Sequence, residues 1–140
     1  MVLFVCTGNT CRSPMAEAFF SRKFGNMETN SAGVLAHENR PSKGAVEAMA
    51  AYGINIENHR PKKVSKELLE KAHIIITMTQ AQKEMVSDML EDVSRAKVYT
   101  FYQYVSEKDQ DVADPYGGDA EVYRDTAQEL EYLTERFMFD

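Results

Sequence analysis

The sequence predicts an α/β fold: a single three-layer domain with one four-stranded parallel sheet and helices on both faces. Three observations carry this. Strand-like and helix-like segments alternate along the 140 residues, as in a parallel sheet with crossover helices. Two segments, the apolar run Val2–Val5 and the β-branched Ile74-Ile75-Ile76-Thr77-Met78, suit strands buried on both faces. No linker, low-complexity segment or repeat divides the chain, so residues 1–140 are expected to share one core.

The first strand, Val2–Val5, ends at Cys6. A tight loop follows, and Ser13-Pro14 reads as a helix start, with Ser13 as N-cap and Pro14 as first helical residue. Glu17 falls one residue late for a capping box. This helix is expected to run to about Phe24, with Met15, Ala16, Ala18 and Phe19 facing inward, and Gly25-Asn26 stops it. Glu28–Ser31 reads as a short second strand. Pro41 opens a second helix with Ala45, Ala48, Met49 and Tyr52 on one face and Gly53 as its stop.

Residues 54–63 read as loop, and Ser65 caps a short helix through Lys71. Ile74–Met78 is the third strand. Thr79 and Gln82 form a capping box for a helix to about Leu90. Lys97–Phe101 reads as the fourth strand, and a polar loop over 106–118 carries Asp114-Pro115-Tyr116-Gly117-Gly118. The last helix is expected from Asp119 to Phe137, with Tyr123, Ala127, Leu130, Leu133 and Phe137 as its core stripe. Ligands of such sheets bind at the carboxyl ends of the strands near the switch point, which is where the Cys6 loop belongs.

Composition narrows the partners. The net charge is −6 and no Lys/Arg block interrupts it, which argues against nucleic acid. No apolar run reaches membrane-spanning length, and no signal-type segment stands at the N-terminus, so a cytoplasmic protein with no membrane partner is expected. The acidic balance is weakly compatible with basic protein substrates, and a plain solubilising surface accounts for it better. Two cysteines five residues apart make no disulfide framework, and with three scattered histidines they match no zinc pattern. No metal or cofactor is expected.

The chemistry concentrates in Cys6-Thr7-Gly8-Asn9-Thr10-Cys11-Arg12-Ser13. Gly8 and Asn9 tolerate left-handed backbone angles, so the loop can turn successive N–H groups inward as an anion nest. The helix start adds free N–H groups and a positive dipole end. Arg12 adds a planar fork that grips phosphate oxygens in pairs. A lone arginine on a first helical turn is otherwise unfavourable there.

Cys6 alone would read as a buried core cysteine. Inside such a loop the thiolate form is favoured, and the thiolate is a nucleophile. Phosphoryl transfer through phosphocysteine is the reaction this combination predicts. Asp114 before Pro115 has two readings, an ordinary turn or the acid that protonates a leaving group and later activates water. Tyr116 either packs in its loop or walls the pocket. Cys11 is either a small loop residue or a resolving cysteine that pairs with Cys6 and spares it over-oxidation. His73, at a strand start, reads as structural.

The stretch from Cys6 to Glu17, together with Asp114-Pro115-Tyr116, resembles the low-molecular-weight protein tyrosine phosphatase family along nearly the whole chain. The resemblance implies a flavodoxin-like sheet and metal-free, two-step hydrolysis. It makes Cys6 the nucleophile, Arg12 the phosphate clamp and Asp114 the general acid. Asn9 would hold the loop, and Ser13 would bond the thiolate. Ser31 and His59 would form a network around Asn9.

Within the family the chain looks closest to bacterial protein-arginine phosphatases. That branch carries Thr at the position of Thr10, where tyrosine-specific members commonly carry Ile. Phosphorylated proteins are then the implied partners, with inorganic phosphate as product. A protein-tyrosine phosphatase is the alternative. Arsenate reduction would need cysteines beyond Cys11, and none follows. A phosphocarrier would need neither Arg12 nor Asp114.

Overall fold

A computed structural model describes residues 1–139. β1 (Val2–Cys6) is fully buried, and it pairs in parallel with β2 (Thr29–Gly33) on one side and β3 (Ile74–Thr77) on the other. β4 (Val98–Thr100) extends β3, giving the order β2-β1-β3-β4, all parallel. The order reverses beside β1, so the carboxyl end of β1 lies at the switch point.

Strand side chains alternate between two faces, and the two cores follow that period. Phe4 and Ile76 pack with α1 (Arg12–Lys23), α2 (Lys43–Ala50) and α6 (Ala120–Glu135) through Met15, Phe20, Met49 and Leu130, and with Phe137 just past α6. Leu3, Val5 and Ile75 pack on the other face with Leu69 of α3 (Lys66–Lys71) and Val86 of α4 (Gln80–Ser87). Each large apolar side chain fully buried this way contributes roughly 1.5–3 kcal/mol. Among the described residues no helix is long and apolar enough to cross a membrane.

The expected caps of α3 and α4 are present: Ser65 and the reciprocal Thr79–Gln82 box. Asp119, read as the start of the last helix, is the N-cap of α6, accepting the Val122 N–H. The expected stripe of Tyr123, Ala127, Leu130, Leu133 and Phe137 is buried, but α6 stops at Glu135 and Phe137 packs from just beyond it rather than from the helix.

Several expectations are corrected. Pro41 does not open α2: Ser42 is the N-cap, its Oγ accepting the Ala45 N–H at 3.3 Å, and Lys43 is the first helical residue. Ser13 is not the N-cap of α1; Cys11 holds that position without any side-chain cap, and Ser13 turns inward instead. Phe20 is a core residue of α1, whereas Ala18 is only partly buried. β2 lies at Thr29–Gly33 rather than Glu28–Ser31, because its polar residues pair in register with β1. The fourth strand stops at Thr100, because Thr100 and Gln103 form a second Thr-x-x-Gln capping box that starts α5 (Phe101–Ser106). Phe101 is buried as the first residue of that helix, so its apolar side chain reads as strand only if the box is overlooked.

Candidate active site

The loop after β1 is built around Asn9. It has φ 57°, in the left-handed region that Asn tolerates, whereas Gly8 does not adopt a positive φ. The Asn9 side chain is fully buried and fully bonded. Its Nδ2 donates to Ser13 Oγ at 2.7 Å and Ser31 Oγ at 3.0 Å. Its Oδ1 accepts from the Lys62 N–H at 3.0 Å and from His59 Nε2–H at 3.2 Å. His59 Nε2 also lies 3.0 Å from the Asn9 carbonyl. Burial chiefly, against the pull of the Asn9 bond and Glu17, holds the His59 pKa below its ordinary value, so the neutral ring is the folded form.

Gly33 lets the loop cross β2. A Cβ there would lie 2.6 Å from the Thr7 carbonyl oxygen and 2.9 Å from the Asn9 nitrogen.

Cys6 Sγ receives the loop's donors. The Asn9 N–H donates to it at 3.3 Å, and Ser13 Oγ lies 2.9 Å away. Because Ser13 Oγ already accepts from Asn9, its own proton is available to the sulfur. The N-terminus of α1 has no side-chain cap and no acidic residue in its first turn, so its positive end is left to an anion.

Arg12 is 4% exposed. Its Nη1 donates to the Val112 carbonyl at 2.8 Å, Nη2 lies 3.7 Å from Asp114 Oδ2, and Nε is buried without any acceptor. A buried N–H left this way costs about 1–3 kcal/mol, and a bound phosphate would satisfy it.

Asp114 sits on the rim, its side chain half exposed. The turn reading is seen directly, because Oδ1 accepts the Tyr116 N–H at 3.1 Å, while Oδ2 faces Arg12 on the cavity side. Val112 anchors this loop, its N–H donating to the Met78 carbonyl at 2.9 Å at the end of β3.

These residues line one cavity of about 330 Å³, with Cys6, Thr7, Gly8, Thr10, Cys11 and Arg12 as floor and Asp114 and Tyr116 as rim. Tyr116 is 66% exposed. A groove of about 570 Å³ shares Thr10, Glu38 and Tyr116 with the cavity and runs on between α2 and α6. Cys6 and Cys11 are both free thiols. Cys11 Sγ lies 3.1 Å from Ser42 Oγ and 3.6 Å from the Tyr123 hydroxyl. Burial foremost, with the Cys11 sulfur adding to it, pushes the Tyr123 pKa up to about 12, so it stays a neutral hydroxyl.

The structure therefore brings every expected site residue together: Cys6 through Ser13 in the loop, Asp114 and Tyr116 on the rim, Ser31 and His59 behind Asn9. Three further residues join them. Glu17 Oε1 accepts from Ser31 Oγ at 2.6 Å, Gln82 Nε2 donates to Thr7 Oγ1 at 3.0 Å, and Val112 receives Arg12. The capping box marked Gln82 as a helix start but not as a partner of Thr7. Glu17 and Val112 carry no local signal, because their partners lie far along the chain.

A parallel sheet with a cysteine–arginine loop at its switch point defines a class of α/β proteins built to hold a small dianion over a thiol. The chain belongs to the low molecular weight phosphotyrosine protein phosphatase family, whose model matches residues 1–140. It is 41% identical over 137 residues to a protein-arginine-phosphatase of Bacillus subtilis, covering 94% of this chain and 90% of the relative. It is 37% identical over 134 residues to the low molecular weight protein-tyrosine-phosphatase PtpB of Staphylococcus aureus, covering 92% and 90%. Among solved structures it resembles YwlE arginine phosphatase, a cysteine-to-serine mutant with a phosphorylated active-site serine. The TM-score is 0.90 at 38% identity, over 96% of this chain and 91% of that one.

Proposed function

We propose that residues 1–140 act as one cytoplasmic protein-arginine phosphatase domain that works through a phosphocysteine intermediate. The observation that carries the reading is that one cavity joins Cys6 Sγ, an Arg12 whose buried Nε has no acceptor, and a half-exposed Asp114. The relatives that act on phosphoarginine, and the phosphorylated serine at the mutated cysteine of one of them, support it. Two free thiols suit a reducing compartment.

Cys6 thiolate attacks phosphorus, and the P–N bond to the substrate guanidinium breaks. Asp114 gives its proton to the departing nitrogen. Loop amides and Arg12 hold the equatorial oxygens, which is where most of the rate enhancement arises. Water then attacks phosphocysteine, Asp114 takes its proton, and inorganic phosphate leaves with the thiolate restored. Asn9, held by Ser31 and His59, keeps the loop open for the anion, and Ser13 supports the thiolate. Thr10, small and polar, leaves room beside Cys6 for a guanidinium. Cys11 serves as resolving cysteine when Cys6 is oxidised. Phosphotyrosine hydrolysis is the second reading, supported by the 37% identity to a protein-tyrosine-phosphatase; the exposed Tyr116 ring on the rim fits either substrate.

The test is kcat/KM on matched phosphoarginine and phosphotyrosine peptides under reducing conditions, with Cys6→Ser as blank. A preference for phosphoarginine of about a hundredfold or more, some 2.7 kcal/mol, is expected. The reverse preference leaves a tyrosine phosphatase. Stable labelling of Cys6 without phosphate release points to a carrier.

A further inference from the structure

Gln82 is almost fully buried at the start of α4, 75 positions from the loop residue that it touches. Its orientation is settled by geometry. Oε1 accepts two backbone N–H groups, from Met78 at 2.9 Å and Thr79 at 3.0 Å. An amide nitrogen could not accept either of them, so the oxygen must lie on that side and Nε2 on the other. Nε2 therefore donates to Thr7 Oγ1 at 3.0 Å.

That bond decides the polarity of Thr7. Its hydroxyl accepts from Gln82 and cannot also donate to it, so its own proton needs another acceptor. Among the described residues no protein acceptor takes it. Thr7 follows the nucleophile directly and lines the same cavity as Cys6 and Arg12.

We propose that the Thr7 hydroxyl is a hydrogen-bond donor to the phosphoryl group held over Cys6, and that Gln82 is the positioning residue that fixes it as a donor. The inference rests on phosphoryl transfer at Cys6 and not on any preference between phosphoarginine and phosphotyrosine. It assigns a role to the Thr7 side chain beyond the backbone N–H groups of the loop, and it gives the α4 capping box a second task. A donor aimed at a dianion is worth more than a neutral bond, because the acceptor is charged.

The test uses the full chain with p-nitrophenyl phosphate as substrate and inorganic phosphate as competitive inhibitor. Thr7→Val removes the hydroxyl at nearly constant shape. The phosphate Ki is expected to rise about tenfold, as for a lost bond to a charged group, and Thr7→Ser to return it to within about twofold of wild type. Ki does not depend on the fraction of active protein, so a merely structural lesion leaves it in place.

Gln82→Leu is expected to raise Ki in the wild-type background and to add little in the Thr7→Val background, since it acts through Thr7. If Gln82→Leu does not fold, the Thr7→Val and Thr7→Ser pair decides alone. An unchanged Ki for Thr7→Val overturns the proposal. So does a Thr7→Ser variant no better than Thr7→Val, and so do additive effects of Thr7→Val and Gln82→Leu. Turnover that survives in Cys6→Ser would instead overturn the phosphocysteine reading itself.

Discussion

The two loops that meet at Arg12 are built in opposite ways. The Cys6–Ser13 loop is interior: Asn9 and Ser13 are fully buried, and each polar atom of the Asn9 side chain has a partner. The loop over 106–118 is mostly exposed; only Val112 and Pro115 of it are buried, and it is tied down by Val112 to Met78 and Arg12 and by Asp109 and Asp111 at the surface. In the proposed reaction the first presents amides and a thiolate in a fixed geometry, so its cost of organisation is met on folding. In the proposed reaction the second moves a proton to and from groups of changing position, and a half-exposed carboxylate on an exposed loop suits that task.

The sharpest way to break the buried loop is Arg12→Lys. Lysine keeps the charge and loses the fork, the Val112 bond and the Nε donor. A loss in kcat/KM of about a thousandfold is expected, as for removal of a preorganised oxyanion donor, while the far-ultraviolet spectrum stays that of wild type. A loss below about tenfold would show that the loop amides alone hold the phosphate.

Asn9→Ala strikes the same loop through stability. It strands four buried or part-buried partners and forces a less tolerant residue to φ 57°. Denaturant unfolding should register about 3 kcal/mol of destabilisation. A cost near zero would mean that the loop conformation does not depend on this network.

The exposed loop should respond in chemistry and not in stability. Asp114→Asn is expected to lower kcat about a hundredfold, as for loss of a positioned acid–base group, with a melting temperature close to wild type because its ion pair is half exposed. A fall in melting temperature as large as that of Asn9→Ala would erase the contrast between the loops.

Two smaller effects sharpen it. Thr10→Ile narrows the cavity beside Cys6, and it should shift the phosphoarginine-to-phosphotyrosine ratio about tenfold toward phosphotyrosine, the scale of a methylene or two in a specificity pocket. An unmoved ratio would remove Thr10 as the selector. The smallest effect is a slope. Since the folded His59 pKa lies below 6.5, the unfolded chain takes up the proton first as pH falls. Stability is whole above pH 6.5 and declines below it toward the folded pKa, so His59→Gln should flatten stability against pH in that window. An identical slope in the variant would assign the acid sensitivity to other groups.

Much of this was legible in the sequence by itself, because it is local. Strand character in Val2–Val5 and Ile74–Thr77 comes from short-range hydrophobic runs, and the caps at Ser65 and Thr79 come from side chains that reach two or three residues along. The anion loop was legible too, since Cys6, Asn9, Arg12 and the helix start are neighbours in sequence. The second capping box, Thr100–Gln103, was equally local and was masked by the apolar Phe101 that opens its helix.

Tertiary structure decided what depends on partners far away in the chain. It turned Ser13 from an expected cap into a donor beside Cys6, once Asn9 occupied its oxygen. It tied Glu17 to Ser31, Gln82 to Thr7 and Arg12 to Val112, across 14, 75 and 100 positions. A hydrogen bond is a matter of a few tenths of an ångström and of angle, and residue spacing carries neither until the sheet brings its strand ends together.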